Sequence, residues 1–277
     1  MTAAGPDWLG AARAAADELR AILAAAPTTV ERARETGTRG KGGDRTLEID
    51  AAAEAAVFRQ LERLHAEGAR FAALSEERGT VDFGADGPLV VIDPIDGSKN
   101  AKRGLPNHAL SLAVAEGPTM ADVVFGYVRD FGPEEEWVAR RGEGATLNGV
   151  PVDPEVAERK VGEKLEIIGF ESADPRWVRA SADALAEVAY RVRAIGTIAV
   201  SLCQVAAVRF DGMVTLRGCR AVDAAAAQLI VREAGGHVAF IAFEDPLGAP
   251  LDLAPHSPVV AARTPESLRA LARVPTM

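Results

Sequence analysis

The run "PLVVIDPIDGSKN" (Pro88 to Asn100) constrains this chain more than any other stretch. "LVVI" is apolar at every position and reads as a buried strand, yet it leads straight into Asp93 and Asp96. Pro94 keeps the residue before it extended, and Gly97 permits a sharp turn. A core strand therefore has to end where two carboxylates and the Ile95 carbonyl can face one point. Hard oxygen donors of that kind suit Mg²⁺. A plain turn with capping aspartates accounts for the same residues equally well. A calcium loop of the EF-hand type fits poorly: where it needs a glycine and a glutamate, counting from Asp93 gives Ser98 and Gly104. Beyond the acids, Gly97 and Ser98 place their amides at a tight turn that starts a short helix, a geometry that suits a phosphate oxygen.

The flanking pattern supplies the frame. A first helix follows Pro6, with Trp8, Leu9, Ala12, Leu19, Ile22 and Leu23 at helical spacing, and stops at Pro27. A second, over residues 47–67, buries Ile49, Ala53, Val57, Leu61 and Leu64. Between them "RARETGTRGKGGDRT" has no apolar period and reads as a mobile loop over residues 35–46, from which Arg39 or Lys41 could reach a phosphate or simply stay solvated. Strand-like runs follow: "FAALS", "PLVVI", "HALSLAVAEG", "ADVVFGYVRD" and "EEEWVARRG", then an Asn-Gly turn in "LNGVPV". From about Glu163 strands and helices alternate: "LEIIGF", a helix from Pro175, "YRVRAI", a helix from about Thr197, "MVTL", the helix "VDAAAAQLIVREA", "HVAFIA", "PVVAAR" and a last helix. The first half reads as antiparallel and the second as βαβ. Lobes over 1–155 and 156–277 are expected to form one compact unit.

More acids stand at element boundaries. Glu76 and Glu77 end a strand in "LSEERG", Asp223 opens an alanine-rich helix, and Asp50 lies in the first turn of another. Each has an ordinary explanation as a solvated loop charge, an N-cap or a first-turn acid. Boundaries are nevertheless where side chains converge on a site. The formal net charge of -9 argues against a nucleic-acid polymer as partner, which needs a clustered cationic footprint. It leaves room for a phosphorylated small molecule, because bound cations reverse the sign locally. Cys203 and Cys219 lack C-x-x-C spacing, and the four histidines include no H-x-x-x-H pair. "MTAAGPDWLG" does not resemble a signal peptide and no apolar run approaches the roughly 20 residues that span a bilayer. The expectation is a cytoplasmic protein without a membrane segment.

Together "LSEERG", "VVIDPIDGSKN" and "VDAAAAQLIVREAGG" resemble the three metal-site motifs of the inositol monophosphatase superfamily of Mg²⁺-dependent phosphatases. "EWVARRGEGATLNGVPV" is similar to its hairpin segment and "AIGTIAVSLCQVAAVRFDG" to its Gly-Thr-initiated helix. "GGDRTLEIDAAAE" resembles the start of its second helix, particularly in archaeal-type dual inositol and fructose bisphosphate phosphatases. The resemblance covers about Gly40 to Gly236. It implies an α/β (α+β) fold, a layered αβαβα sandwich, and hydrolysis of a small polyol or sugar phosphate by metal-activated water. It implies two or three Mg²⁺ ions: Glu76, Asp93 and the Ile95 carbonyl hold the first, Asp93 bridges to a second, and Asp96 and Asp223 complete that site. Gly97 and Ser98 would cradle the phosphate, Asp50 would orient Ser98 or a water near a third metal, and Gly196 and Thr197 would line the substrate pocket. Homodimers are common in the family.

Two departures bear on the substrate. Val222 stands where the family usually has Trp before Asp223, and between Asp211 and Asp223 there is no acid to bind an inositol hydroxyl. Arg217 and Arg220 in that segment favour a more anionic substrate if they face the pocket, and Lys99 hints at the branches acting on phosphoadenosine phosphate or histidinol phosphate. The alternatives are therefore a fructose-1,6-bisphosphatase, a 3'-phosphoadenosine 5'-phosphate or histidinol-phosphate phosphatase and, outside enzymes, a catalytically silent homologue that binds metal or phosphate. The silent reading predicts a lost ligand, yet Glu76, Asp93, Asp96, Ser98 and Asp223 are all present.

Overall fold

The computed structural model describes residues 5–39, 41, 45–84 and 87–277. The chain opens with α1 (Trp8–Ala25), whose first turn is capped by Asp7 accepting from Gly10 N at 2.9 Å, and the single turn α2 (Thr29–Arg32). The segment 35–46, expected as a mobile loop, instead contributes to an antiparallel ribbon of β1 (Glu35–Arg39) and β2 (Arg45–Leu47). Backbone hydrogen bonds hold such a ribbon without an apolar period, and buried Leu47 anchors its end. The side chain of Arg39 lies outside the described residues, and so do the loop residues 40 and 42–44. α3 (Glu48–Ala66) buries all five apolar positions that the spacing selects.

The first sheet contains β3 (Ala72–Ser75), β4 (Gly79–Asp82), β5 (Leu89–Asp96), β6 (Ala109–Ala115), β7 (Val123–Asp130), β8 (Glu135–Arg140), β9 (Gly144–Leu147) and β10 (Val150–Pro151), with α4 (Ser98–Arg103) between β5 and β6. The order is β10-β9-β8-β7-β6-β5-β3-β4, antiparallel except where β3 runs beside β5. Asn148 and Gly149, both at positive φ, close the β9–β10 hairpin at the expected Asn-Gly turn.

The second sheet holds β11 (Lys160–Val161), β12 (Lys164–Glu171), β13 (Ala189–Arg193), β14 (Gly212–Thr215), β15 (His237–Phe240) and β16 (Val259–Ala262). Its helices are α5 (Pro175–Val188), α6 (Ile198–Ala206), α7 (Ala221–Glu233) and α8 (Pro265–Leu271). β12 runs parallel to β13 and β14, as the alternating pattern predicts, whereas β14, β16 and β15 pair antiparallel.

Strand alternation sorts these elements into five layers. Val90 and Ile92 of β5 join α1 and α3 in one apolar cluster, while Val91 faces the opposite way into a cluster with α6 and α7. In the second sheet Met213 meets α6 and α7, and its neighbour Val214 meets α5 and α8. α6 and α7 are buried on nearly every face, which explains why both are composed mainly of alanine and other apolar residues. The result is the αβαβα sandwich.

One detail of β5 differs from expectation. The strand does not stop at Ile92 but continues to Asp96, with a slip between Asp93, opposite Ser111, and Asp96, opposite Ala109. The bulge accommodates Pro94, which has no N–H for the ladder. Both acids are thereby part of the sheet itself.

Candidate active site

The carboxyl end of β5 is the floor of the site. Asp93 and Asp96 are 2% and 8% exposed, and Asp93 Oδ1 accepts from Ile95 N at 3.0 Å. Gly97, at φ +83°, is the N-cap of α4. A Cβ there would lie 2.9 Å from the Asn107 carbonyl oxygen, so this corner needs glycine. Asn100 on α4 donates to the carbonyls of Asn107 at 2.9 Å and Ile195 at 2.7 Å, which fastens the corner to the segment entering α6.

That segment holds Asp96 in turn. The Thr197 hydroxyl donates to Asp96 Oδ2 and Ala199 N donates to the same oxygen at 2.7 Å. Thr197 also caps α6, accepting from Val200 N at 3.3 Å. Glu171, at the end of β12, accepts from Ile195 N at 3.0 Å, Gly196 N at 2.9 Å and the Ser201 hydroxyl at 2.6 Å, so the Gly196–Thr197 turn has a buried carboxylate beneath it. On the other side Glu54 of α3 accepts from the Ser75 hydroxyl and, at 3.1 Å, from Arg78 N, which holds the turn carrying Glu76.

Asp223 sits in the first turn of α7, accepting from the backbone N–H of Arg220 at 2.8 Å. The Arg220 side chain closes the circle: Nη2 donates to Asp223 Oδ1 at 2.8 Å and Nη1 to Glu76 Oε1 at 2.6 Å. Glu76 and Asp223 thus share a basic partner at the start of α7.

Two adjoining cavities of about 350 and 630 Å³ share Glu76, Asp93, Ile95, Ser98 and Lys99 as walls. Asp50 lines the smaller one, while Asp96, Gly97, Gly196, Thr197 and Asp223 line the larger. Every residue that the family resemblance implies for the metal, phosphate and substrate positions therefore borders this connected space. Arg217 and Arg220 face the larger cavity, Arg217 lying 5.8 Å over the Trp177 ring. Lys41 is exposed and lines neither cavity, although its amide, donating to Glu77 O at 3.0 Å, brings the ribbon to the rim.

Burial dominates the electrostatics. It pushes the Asp93 carboxyl well above the usual range, and the charges of Glu76, Asp96 and Asp223 push it further. Asp96 rises to about 7 through burial, reinforced by Asp223 and opposed by its Thr197 hydrogen bond. Asp50 also rises to about 7 through burial, with the Leu47 amide working against Glu77 and Glu76. Glu76 is raised by burial although Arg220 pulls it down, and Arg220 is raised because Asp223 and Glu76 outweigh its desolvation.

The donor chemistry fits a hard cation. It is all oxygen, buried and mutually repelling, and Asp50 Oδ1 is a buried atom with no hydrogen-bond partner among the described residues. As the side chains stand, no three carboxylate, imidazole or thiol groups among the described residues are gathered to enclose an ion, and Arg220 spans Glu76 and Asp223. The sequence reading missed Glu171 and Glu54. Glu171 ends "LEIIGFE" as Asp93 ends "LVVID", and Glu54 lies one turn after Asp50 on the same helix face.

The sequence model of the inositol monophosphatase family matches residues 7–274. The chain belongs to that family. Among relatives, the fructose-1,6-bisphosphatase/inositol-1-monophosphatase of Thermococcus kodakarensis is 38% identical over 197 residues, 71% of this chain and 70% of its own. The protein of the same name from Methanothermobacter thermautotrophicus is 32% identical over 242 residues, 83% of each chain. The Nus factor SuhB of Haemophilus influenzae is 34% identical over 199 residues, 70% of this chain and 71% of its own. A solved inositol monophosphatase-fructose 1,6 bisphosphatase superposes with a TM-score of 0.81 at 24% identity, covering 97% of this chain and 99% of its own, a likeness of fold. The inositol monophosphatase of Anabaena (Nostoc) gives a TM-score of 0.73 at 25% identity, over 98% and 97%. As a member of the inositol monophosphatase family the chain is a phosphatase, a hydrolase of small phosphate esters.

Proposed function

We propose that the protein is a Mg²⁺-dependent phosphomonoesterase acting on a small polyol or sugar phosphate. One observation carries the reading: Asp93, Asp96, Asp223 and Glu76 border one cavity together with the start of α4. Glu76, Asp93, the Ile95 carbonyl, Asp96 and Asp223 would hold two Mg²⁺ ions, with a third, weaker position near Asp50. The ions when bound supply positive charge to the phosphoryl oxygens and the leaving alkoxide, and acidify the attacking water. The chain's own part is positional. The amides of Gly97 and Ser98 bind phosphate oxygens at the left-handed turn into α4. Thr197 and Ala199 N hold Asp96 at a fixed orientation. Asp50, on the wall of the smaller cavity with Ser98, would orient Ser98 or a water beside the third position. The reading extends to a cytoplasmic homodimer, as the family resemblance implies.

A bisphosphate such as fructose 1,6-bisphosphate is the second substrate reading, supported by Lys99, Arg217 and Arg220 around the larger cavity and by the names of the archaeal relatives. The test is phosphate release with Mg²⁺ from inositol 1-phosphate, fructose 1,6-bisphosphate, histidinol phosphate and 3'-phosphoadenosine 5'-phosphate, each beside Asp93→Asn. Mg²⁺-dependent release that vanishes in the variant is the expected result, and the preferred substrate decides the branch. Release unchanged in the variant would sink the assignment.

A further inference from the structure

Arg220 occupies oxygens that the two proposed cations need, one held by Glu76 and the other by Asp223. Its Nη1 donates to Glu76 Oε1 at 2.6 Å and its Nη2 to Asp223 Oδ1 at 2.8 Å. Its Nε and backbone N–H both reach Asp223 Oδ2, at 3.3 and 2.8 Å, so neither Asp223 oxygen is left uncommitted. A guanidinium and a metal ion compete for those oxygens at contact distance, because both are cations and the pair is largely buried. The side chain has room to leave. Arg220 is the N-cap of α7, with φ -86° and ψ 163°, so its side chain can turn without unwinding the helix, and it already borders the larger cavity.

We infer that Arg220 is a resident counter-ion that competes with metal for Glu76 and Asp223, and that metal entry turns its guanidinium into the larger cavity to face the substrate's phosphate. The inference rests on the proposed metal-dependent function. Two consequences follow. Metal affinity is reduced by the fraction of molecules in which the ion pair is closed. An anion that draws Arg220 into the cavity frees the carboxylates, so phosphate and metal strengthen each other's binding.

The test is calorimetric titration of the metal-stripped protein with Mg²⁺ for the wild type, Arg220→Gln and Arg220→Lys, with and without inorganic phosphate. The Gln variant should bind Mg²⁺ on the order of tenfold more tightly than the wild type. The Lys variant should fall between them, since an ammonium keeps the charge but lacks the fork that bridges two carboxylates. Added phosphate should tighten Mg²⁺ binding more in the wild type than in the Gln variant. Should the Gln variant fail to fold, the Lys comparison carries the test alone. A Lys variant that matches the wild type, with only Gln tighter, would reduce the effect to net charge and overturn the competition. Equal affinity in all three overturns this inference and leaves the proposed function standing, whereas no Mg²⁺ binding by any of them overturns both.

Discussion

The two sides of the acid cluster manage the same problem differently. At the α7 side Glu76 and Asp223 share the Arg220 guanidinium, whose side chain is 21% exposed. At the β5 side Asp93, Asp96 and Asp50 have no ion pair among the described residues. Asp96 is held by a hydroxyl and an amide, Asp93 by the Ile95 amide, and one Asp50 oxygen has no partner among the described residues. The protein compensates one side with its own cation and leaves the other to proton uptake or to an added ion. Removing a negative charge should therefore have opposite effects at the two places.

The largest expected effect tests that contrast in metal-free protein at pH 8. Asp223→Asn leaves a mostly buried guanidinium with half its partners and should destabilise by about 2–4 kcal/mol, below the full figure for a buried pair because Arg220 is partly solvated. Asp93→Asn removes a buried charge from among like charges and should raise the melting temperature by a few degrees, roughly 1–2 kcal/mol. Thermal denaturation in chelator reads both. Shifts in the same direction would erase the distinction between the two sides.

The pH dependence sharpens it. Asp50 and Asp96 rise from 3.8 to about 7 in the folded protein, so between about pH 4 and 7 the native state keeps protons that the unfolded chain has released. Metal-free stability should fall as pH rises through that window. Asp96→Asn should flatten the slope. With saturating Mg²⁺ the sign should reverse, because the bound form requires ionised carboxylates. Melting temperatures at pH 5 and 8, with chelator and with Mg²⁺, give all of these comparisons. A metal-free slope of the opposite sign would contradict the burial argument.

Gly97 probes the backbone on the β5 side. Its φ of +83° and the 2.9 Å approach of the Asn107 carbonyl oxygen mean that Gly97→Ala should cost about 1–3 kcal/mol. The α4 amides would move with it, so KM for a phosphate substrate should rise more than kcat falls. Gly104→Ala is the control: it also has positive φ, at 67°, but open space around a Cβ and no place in the cavity walls. It should leave KM unchanged.

Much of this was legible before the structure because boundaries are written in residue chemistry. "LVVI" before Asp93, alanines after Asp223 and the capping Thr197 each announce an element and its end. The layer order was legible only through the family resemblance; the element pattern itself showed an antiparallel first half and a βαβ second half. Three things were hidden. The 35–47 ribbon is held by backbone bonds that no side-chain period records. The continuation of β5 through Pro94 depends on a bulge, and a proline in sequence reads as an ending. The Arg220 bridge joins residues far apart in sequence, and an arginine near an acid in sequence does not say which other carboxylate it reaches across the fold.

The smallest effect separates the two roles of Thr197. Its hydroxyl donates to Asp96 and also accepts from Val200 N at the start of α6. Thr197→Val keeps the shape but loses both bonds, and should destabilise by about 1–3 kcal/mol, one part from the lost cap and one from the weakened hold on Asp96. Thr197→Ser keeps the hydroxyl and should lose well under 1 kcal/mol. The stability of a single variant does not divide the two roles, but a double-mutant cycle with Asp96 does. In an Asp96→Asn background the residual loss on changing Thr197 to Val should shrink toward the cap's share of about 1 kcal/mol. Full additivity in that double-mutant cycle would mean that the hydroxyl serves α6 alone and that Asp96 is positioned by the Ala199 amide.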